Sequence, residues 1–160
     1  MSSVKIHVPQ VRLAKLLRTP GGLPVADAVQ RAGKGLESLK TDCLADLKTV
    51  LEHAEACAAK ATATYDADLA AELYAIVSTP IGVPSVCGLP SVDVALTSLS
   101  DLLDYLKSQQ RWDANAVAVH LRAFRLLLQT EGAKDIAGAQ AILAGLRKVS
   151  QRYAKPESGS

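Results

Sequence analysis

Apolar residues recur every three or four positions along most of this chain, which is the spacing of one buried helix face. The longest stripe of this kind runs from Val25 to Cys57. Shorter stripes follow, with predicted core positions Leu69, Leu73 and Ile76, then Val92, Leu96, Leu99, Leu103 and Leu106, then Val117, Leu121, Phe124 and Leu128, and finally Ile136, Ala139, Leu143, Leu146, Val149 and Tyr153. No segment shows sustained period-two alternation, so the pattern predicts an all-α protein.

Capping residues and helix breakers mark where these helices begin and end. The expected N-caps are Asp66, Asp113 and Asp135. Gly132 is expected to end the helix that begins at Asp113. Proline lacks an amide donor and disfavours helical geometry in the preceding residue, so the helix before Pro80 should end or kink between Ile76 and Pro80. Residues 81–88 should then form an ordered turn.

The connections between the predicted helices are mostly short, which favours helices that pack beside their neighbours in sequence. The expected architecture is an antiparallel helical bundle with a four-helix core and an extra N-terminal helix. We expect an N-terminal arm with a short helix at residues 1–22, the bundle domain at 23–154, and a disordered tail at 155–160.

Composition narrows the functional classes. The chain has 160 residues, of which 49% are hydrophobic and only 4% aromatic, so its core must consist mainly of Leu, Ala and Val. A formal charge of +2 is too balanced to favour nucleic acid or an anionic membrane as a partner. Three cysteines without metal-site spacing suggest buried thiols in a reducing compartment. With no secretory signal pattern and no apolar run of about 18 residues, we expect a cytoplasmic protein that does not bind membranes.

Small residues form an unusual stripe on the helix that precedes Pro80. If Leu69, Leu73 and Ile76 face the core, the opposite face carries Ala71, Ala75, Ser78 and Gly82. Exposed helix faces usually carry long polar side chains, whereas a face of small residues lets the backbone of a partner approach closely. The alternative explanation is that alanine simply favours helix.

The segment from residue 66 to 106 resembles the central hairpin of histidine phosphotransfer (HPt) domains, the four-helix modules of bacterial phosphorelays. Gly82 and Gly88 stand at the two glycine positions of that family, and Ser78 stands where the family has its phosphate-accepting His. Ile81 replaces the Lys that usually precedes the first Gly. The resemblance therefore implies a phosphotransfer scaffold without its phosphoacceptor.

A second resemblance covers more of the chain, from about Arg18 to Val149. The phrases RTPGGLPVADAV, LYAIVSTPIGV, CGLPSVDVA, RWDANAVAVHLRAFRLL and ILAGLRKV are similar to the small accessory proteins called CheE in bacterial chemotaxis gene clusters. This resemblance implies a role in signalling near receiver domains and histidine kinases.

These observations predict a non-enzymatic signalling adaptor that needs no cofactor or metal. It would bind a receiver domain or a histidine kinase through an interaction face formed by Ala71, Ala75, Ser78, Ile81, Gly82 and Gly88. One alternative is an active histidine phosphotransferase that uses His120, with Arg122 or Arg125 as the neighbouring cation. His53, flanked by acidic residues, and His7, in the arm, are weaker candidates. The other alternative is an oligomerising helical bundle without a relay role, in which a second copy of the chain is the partner.

Overall fold

The computed structural model describes residues 24–133 and 135–153, and its regular structure is entirely helical within that range. The six helices are α1 (Val25–Ala58), α2 (Ala67–Ser78), α3 (Val83–Val86), α4 (Pro90–Ser108), α5 (Ala114–Ala133) and α6 (Ile136–Ser150). The predicted all-α bundle is confirmed. The predicted N-terminal arm and C-terminal tail lie outside the described residues.

The chain divides into two compact units at Gly35 and Leu36. In the first unit, the described residues are all exposed, including Val25 and Val29. In the second unit, Leu36 and Leu39 are also exposed, and α1 buries only its later apolar residues: Cys43, Leu47, Leu51, Ala54 and Cys57. The predicted long helix is therefore confirmed, while only the second half of its apolar stripe lies in the core.

The core of the second unit is built around α4, which contacts α2, α3, α5 and α6. All of its predicted core residues are at most 1% exposed: Val92, Leu96, Leu99, Leu103 and Leu106. Burying one leucine or valine side chain stabilises the folded state by about 1.5–3 kcal/mol. The leucine stripe of α4 thus makes a large contribution to the stability of this fold.

The predicted N-caps are confirmed by their hydrogen bonds. Asp66 Oδ1 accepts the backbone N–H groups of Asp68 and Leu69, at 3.0 and 3.1 Å. Asp113 Oδ1 accepts the N–H of Ala116 at 3.0 Å, and Asp135 Oδ1 accepts the N–H of Gly138 at 2.9 Å. Each aspartate satisfies amide groups that the first helical turn leaves without partners.

Helix α5 continues through Gly132 to Ala133, one residue beyond the predicted end. Such a difference is normal, because the last turn of a helix frays and its boundary shifts by one or two residues. The first residue of α6 also differs from its prediction. Ile136 is 74% exposed, because it lies at the extreme N-terminal end of the helix and not beside the packed residues Ala139 and Leu146.

Helix α2 buries a slightly different row of residues from the predicted one. Leu69, Leu73 and Val77 are spaced four apart and are at most 9% exposed, whereas Ile76 is only partly buried against the core. Both Ile76 and Val77 are apolar, so the sequence alone did not distinguish them. The opposite face of α2 remains the one that carries Ala71 and Ala75.

The prediction that the helix before Pro80 ends early is confirmed, since α2 ends at Ser78. Of the two expected causes, the loss of helical geometry in the residue before Pro80 is wrong. Thr79, directly before the proline, keeps helical angles of φ −56° and ψ −44°. The break instead follows from the missing amide of Pro80 and from Gly82, whose φ of +92° leaves the helical region. Between Gly82 and Gly88 the chain forms the one-turn helix α3.

One segment in the described part of the chain, Ala67–Val86, is long and apolar enough to span a membrane by length and composition. In the structure this segment is not one helix, because the turn at Thr79–Gly82 separates α2 from α3. Its residues Leu69, Leu73 and Val77 belong to the protein core. The apolar character of the segment is thus accounted for, at least in part, by packing within the bundle.

Candidate functional site

Five of the six residues of the predicted interaction face lie on α2 and in the turn that follows it. We call Ala71, Ala75, Ser78, Ile81 and Gly82 the hairpin surface. Ala71, Ala75 and Gly82 are exposed, Ile81 is 38% exposed, and Ser78 is half-buried. The prediction missed Tyr74, which is 40% exposed and lies one turn from both Ala71 and Ser78. An exposed aromatic ring among small side chains makes this surface more apolar than the small residues alone suggested.

The sixth predicted residue of the face, Gly88, lies in a different setting. It lines a cavity of about 560 Å³ with Lys40 of α1, Pro90 of α4, and Ile136 and Leu143 of α6. The residues of the hairpin surface do not line that cavity. The two glycines of the family resemblance therefore do not contribute to one common cavity.

The carboxylate of Asp93 on α4 holds the turn below the hairpin surface. Its Oδ1 accepts the backbone N–H of Gly82 at 2.7 Å, and its Oδ2 accepts the hydroxyl of Ser85 at 2.6 Å. One side chain thus connects α4 to both the turn and α3. Hydrogen bonds to a charged acceptor are stronger than those between neutral groups. The end of α2 is fixed to α4 by this contact as well as by apolar packing.

Both glycines of the turn have a conformational explanation. Gly82 has φ +92° and Gly88 has φ +76°, values that other residues rarely adopt. A Cβ atom built on either glycine would meet no atom within 4 Å. Backbone geometry, rather than close packing inside the chain, therefore requires glycine at these positions. The glycine spacing that suggested a docking face is explained by the shape of the turn.

His120 is buried between helices and has a hydrogen bond on each ring nitrogen. Its side chain is 1% exposed. Nδ1 lies 2.8 Å from the carbonyl oxygen of Ala116, and Nε2 lies 3.1 Å from Ser98 Oγ on α4. Burial lowers the pKa of the imidazole from its ordinary value of 6.5, and the hydrogen bond with Ala116 opposes that shift only in part. In this conformation, the ring cannot receive a phosphoryl group from another protein.

The two arginines proposed as cations for His120 have other positions. Arg125 forms a two-pronged ion pair with Glu55 of α1. Arg122 is exposed and lines a separate cavity of about 340 Å³ with Trp112. Burial and this arrangement weigh against the phosphotransferase alternative at His120. His53 is exposed on α1, and His7 lies outside the described residues.

A polar cluster that the sequence analysis missed lies where α4, α5 and α6 meet. Ser98 Oγ contacts His120 Nε2 at 3.1 Å and Ser150 Oγ of α6 at 2.9 Å. Ser98 and Ser150 also line an open cleft of about 300 Å³ between α4 and α6. Ser98, His120 and Ser150 lie on three different helices, so no local sequence motif predicts the cluster. The signal that could have indicated them is a pair of polar residues, Ser98 and His120, each beside an apolar helix stripe.

The three cysteines are free thiols, and all are buried. Burial, reinforced by the neighbouring Cys87, raises the pKa of the Cys43 thiol to about 11. Burial also raises the pKa of the Cys57 thiol. Both are thus protonated and unreactive at neutral pH. Among residues 24–133 and 135–153, no group of three or more His, Cys, Asp and Glu side chains could hold a metal ion.

No protein-family model, curated protein or solved structure matches this chain. The fold class therefore comes from the structure itself: an all-α helical bundle. The resemblances to HPt domains and to CheE proteins remain expectations from the sequence. Two places on the molecule carry candidate functional groups: the hairpin surface and the cluster around Ser98.

Proposed function

We propose that this protein is an adaptor of a bacterial chemotaxis or two-component pathway, which binds a receiver domain through its hairpin surface and does not relay phosphate. The observation that carries the proposal is the exposure of Ala71 and Ala75 beside Tyr74 on α2. Small side chains let a partner approach the helix closely, and an aromatic ring supplies the kind of contact that dominates binding energy at interfaces.

The fixed turn supports the same proposal. Asp93 binds Gly82 and Ser85, so the end of α2 is held in one position before any partner arrives. A surface that is already ordered loses less conformational entropy on binding. The receiver domain is the partner implied by the HPt-like sequence around Ser78, and a histidine kinase of the same pathway is the other partner to test. The adaptor would act in the cytoplasm.

The absence of phosphate relay rests on Ser78 and His120. A serine hydroxyl is a poor nucleophile near neutral pH unless a base activates it. His120, the imidazole that the alternative would use, is 1% exposed. Incubation with a phosphorylated receiver domain should therefore leave no acid-labile phosphate on this protein. Label that disappears in the His120→Gln variant would instead establish the phosphotransferase.

The binding test compares two Ala→Arg variants of the full-length protein by titration calorimetry against purified receiver and kinase domains. Ala75→Arg changes the hairpin surface, and Ala144→Arg makes the same change at an exposed position of α6. We expect Ala75→Arg to weaken receiver binding by about 1–2 kcal/mol, the scale of an interface hot spot. Ala144→Arg should bind like the unmodified protein. Equal affinities of the two folded variants, or no binding to any receiver, would refute the proposal.

A further inference from the structure

The cleft between α4 and α6 combines a hydroxyl group with a buried base behind it. Ser98 is half-buried and lines the cleft, while His120 lies behind it at 1% exposure. A nucleophile within hydrogen-bond distance of a base, with the base held by a third group, is the arrangement used in covalent catalysis. Here the third group is the carbonyl oxygen of Ala116.

The proton positions follow from the hydrogen bonds. A carbonyl oxygen can only accept, so Nδ1 of His120 must carry the hydrogen in its 2.8 Å contact with Ala116. In the neutral ring, Nε2 is then unprotonated and accepts the hydroxyl hydrogen of Ser98. Ser98 Oγ in turn accepts the hydroxyl hydrogen of Ser150. The imidazole thus has the tautomer that a general base for Ser98 needs.

We propose that the cleft is an ester-binding site in which Ser98 is the nucleophile and His120 is its general base. Ser98 Oγ attacks the ester carbonyl carbon while its proton passes to His120 Nε2. The carbon–oxygen bond to the leaving group then breaks, and the same proton passes to the departing oxygen. Water next attacks the acyl-serine carbonyl carbon and gives a proton to His120 Nε2. The bond from that carbon to Ser98 Oγ then breaks, His120 passes the proton to Oγ, and the carboxylic acid is released. The proton that leaves with the alcohol is replaced by one from water, so water is the one co-reactant and both Ser98 and His120 regain their starting protonation states.

The lining of the cleft indicates the class of substrate. Leu143, Leu146 and Val94 offer apolar contact to an acyl chain. Arg147 also lines the cleft, and its positive charge would offset negative charge on the carbonyl oxygen. Asp93 and Asp101 also line it and disfavour an anionic substrate. A volume of about 300 Å³ is at the lower end for small-molecule pockets. The site therefore suits neutral esters of short aliphatic acids.

This inference does not depend on the proposed adaptor role. The residues of the hairpin surface do not line the cleft. Substitutions at Ser98 and at Ala75 therefore change one place without altering the lining residues of the other.

The test uses full-length protein with p-nitrophenyl acetate, measuring p-nitrophenolate release and then locating the acetyl group by peptide mass spectrometry. We expect one acetyl group on Ser98 and a release rate about 100-fold or more above that of Ser98→Ala, the scale of general base catalysis. Ser100→Ala is the matched control, because Ser100 is a buried serine on the same helix. It should keep the full rate. Acetylation confined to lysines, or an unchanged rate in Ser98→Ala, would overturn the proposal.

The role of His120 can be tested in the unmodified protein, from the pH dependence of p-nitrophenolate release. If the neutral imidazole is the base, the rate of p-nitrophenolate release should rise with pH and level off by neutral pH. Burial lowers the pKa of His120 from 6.5, so the ring is already mostly unprotonated there. A rate that instead rises in proportion to hydroxide concentration would show that His120 takes no part. The His120→Gln variant, where it folds, should lose the plateau together with the acetylation of Ser98.

Discussion

At the turn between α2 and α4, the groups that hydrogen-bond to the carboxylate of Asp93 are exposed and can also reach water. Where α4, α5 and α6 meet, the ring of His120 is buried, and its partners are the half-buried Ser98 and the carbonyl oxygen of Ala116. Asp93 in the first region replaces hydrogen bonds that Gly82 would otherwise make with water. Ser98 and His120 in the second region must satisfy each other, because water has little access to the ring. An unsatisfied buried polar group costs about 1–3 kcal/mol. Removing a hydrogen-bond partner should therefore cost less in the first region than in the second.

The largest difference should appear between buried and exposed side chains of α5. Phe124, one turn after His120, is 1% exposed, whereas Val119 on the same helix is 41% exposed. Phe124→Ala should lower the free energy of unfolding by about 3–5 kcal/mol, because it leaves a cavity in the core. Val119→Ala should change it by less than about 0.5 kcal/mol. Urea unfolding followed by circular dichroism measures both, and similar losses would contradict the burial assigned to these residues.

A smaller effect is expected from the carboxylate that holds the turn. Asp93→Ala removes the acceptor of two hydrogen bonds, from Gly82 N–H and the Ser85 hydroxyl. Both donors are near the surface and can turn to water, so we expect a loss at the lower end of about 1–3 kcal/mol. Asp101→Ala, an exposed aspartate on the same helix, is the control and should be nearly neutral. Hydrogen exchange at the Gly82 amide should accelerate in Asp93→Ala alone.

A pair of glycine substitutions separates backbone conformation from packing. A Cβ atom at Gly82 or at Gly145 meets nothing within 4 Å, but Gly82 has φ +92° while Gly145 lies within helix α6. Gly82→Ala should therefore destabilise the protein by about 1–2 kcal/mol. Gly145→Ala should stabilise it by about 0.4–1 kcal/mol, because alanine restricts the unfolded chain. Thermal unfolding gives the sign of each change, and a loss in both variants would mean that packing, not φ, decides.

The smallest effect on stability at neutral pH comes from the protonation of His120. At that pH the imidazole is mostly neutral in both the folded and the unfolded chain. Burial lowers its pKa in the folded state below 6.5. As pH falls below 6.5, the unfolded chain binds a proton that the folded chain resists, so stability is lost until the folded-state pKa is passed. His120→Gln should flatten this slope, and His53→Gln at an exposed site should keep it. The measurement stays above pH 3.8, the ordinary pKa of an aspartate. The hydrogen bond from the backbone of Ala116 lowers the pKa of Asp113 below that value, so Asp113 also makes stability depend on pH in more acidic solution.

Local sequence pattern was enough to predict the five longer helices and their three aspartate caps, but not the one-turn helix α3. The leucines of α4 and the N-cap at Asp113 could be predicted because each depends on residues within a few positions of it. The stripe of α1 shows the limit of that reasoning. Periodicity indicates which side of a helix is apolar, but not whether another element covers it. Leu36 and Cys43 belong to one stripe, yet Leu36 is 59% and Cys43 6% exposed.

The site residues also divide into those that helix periodicity predicts and those that only helix packing brings together. Ala71 and Ala75 were predicted to be exposed, and they are, because a helix of known core side defines its outer side. Ser78 was predicted on the same exposed face but is half-buried, because the core row of α2 runs through Val77 and not Ile76. Ser98, His120 and Ser150 are separated by 22 and 30 positions along the chain, and only the packing of three helices brings them together. His120 stood out in the sequence because Arg122 and Arg125 are near it. Its actual partners are a carbonyl group and a serine.

Asp93 belongs to both regions, since it binds the turn under the hairpin surface and also lines the α4–α6 cleft. Occupancy of the two places is therefore thermodynamically linked if either ligand shifts this carboxylate. Linkage of this kind is reciprocal: a partner that changes the affinity of the cleft by some factor has its own affinity changed by the same factor. If both proposals hold, this one side chain would couple the two surfaces.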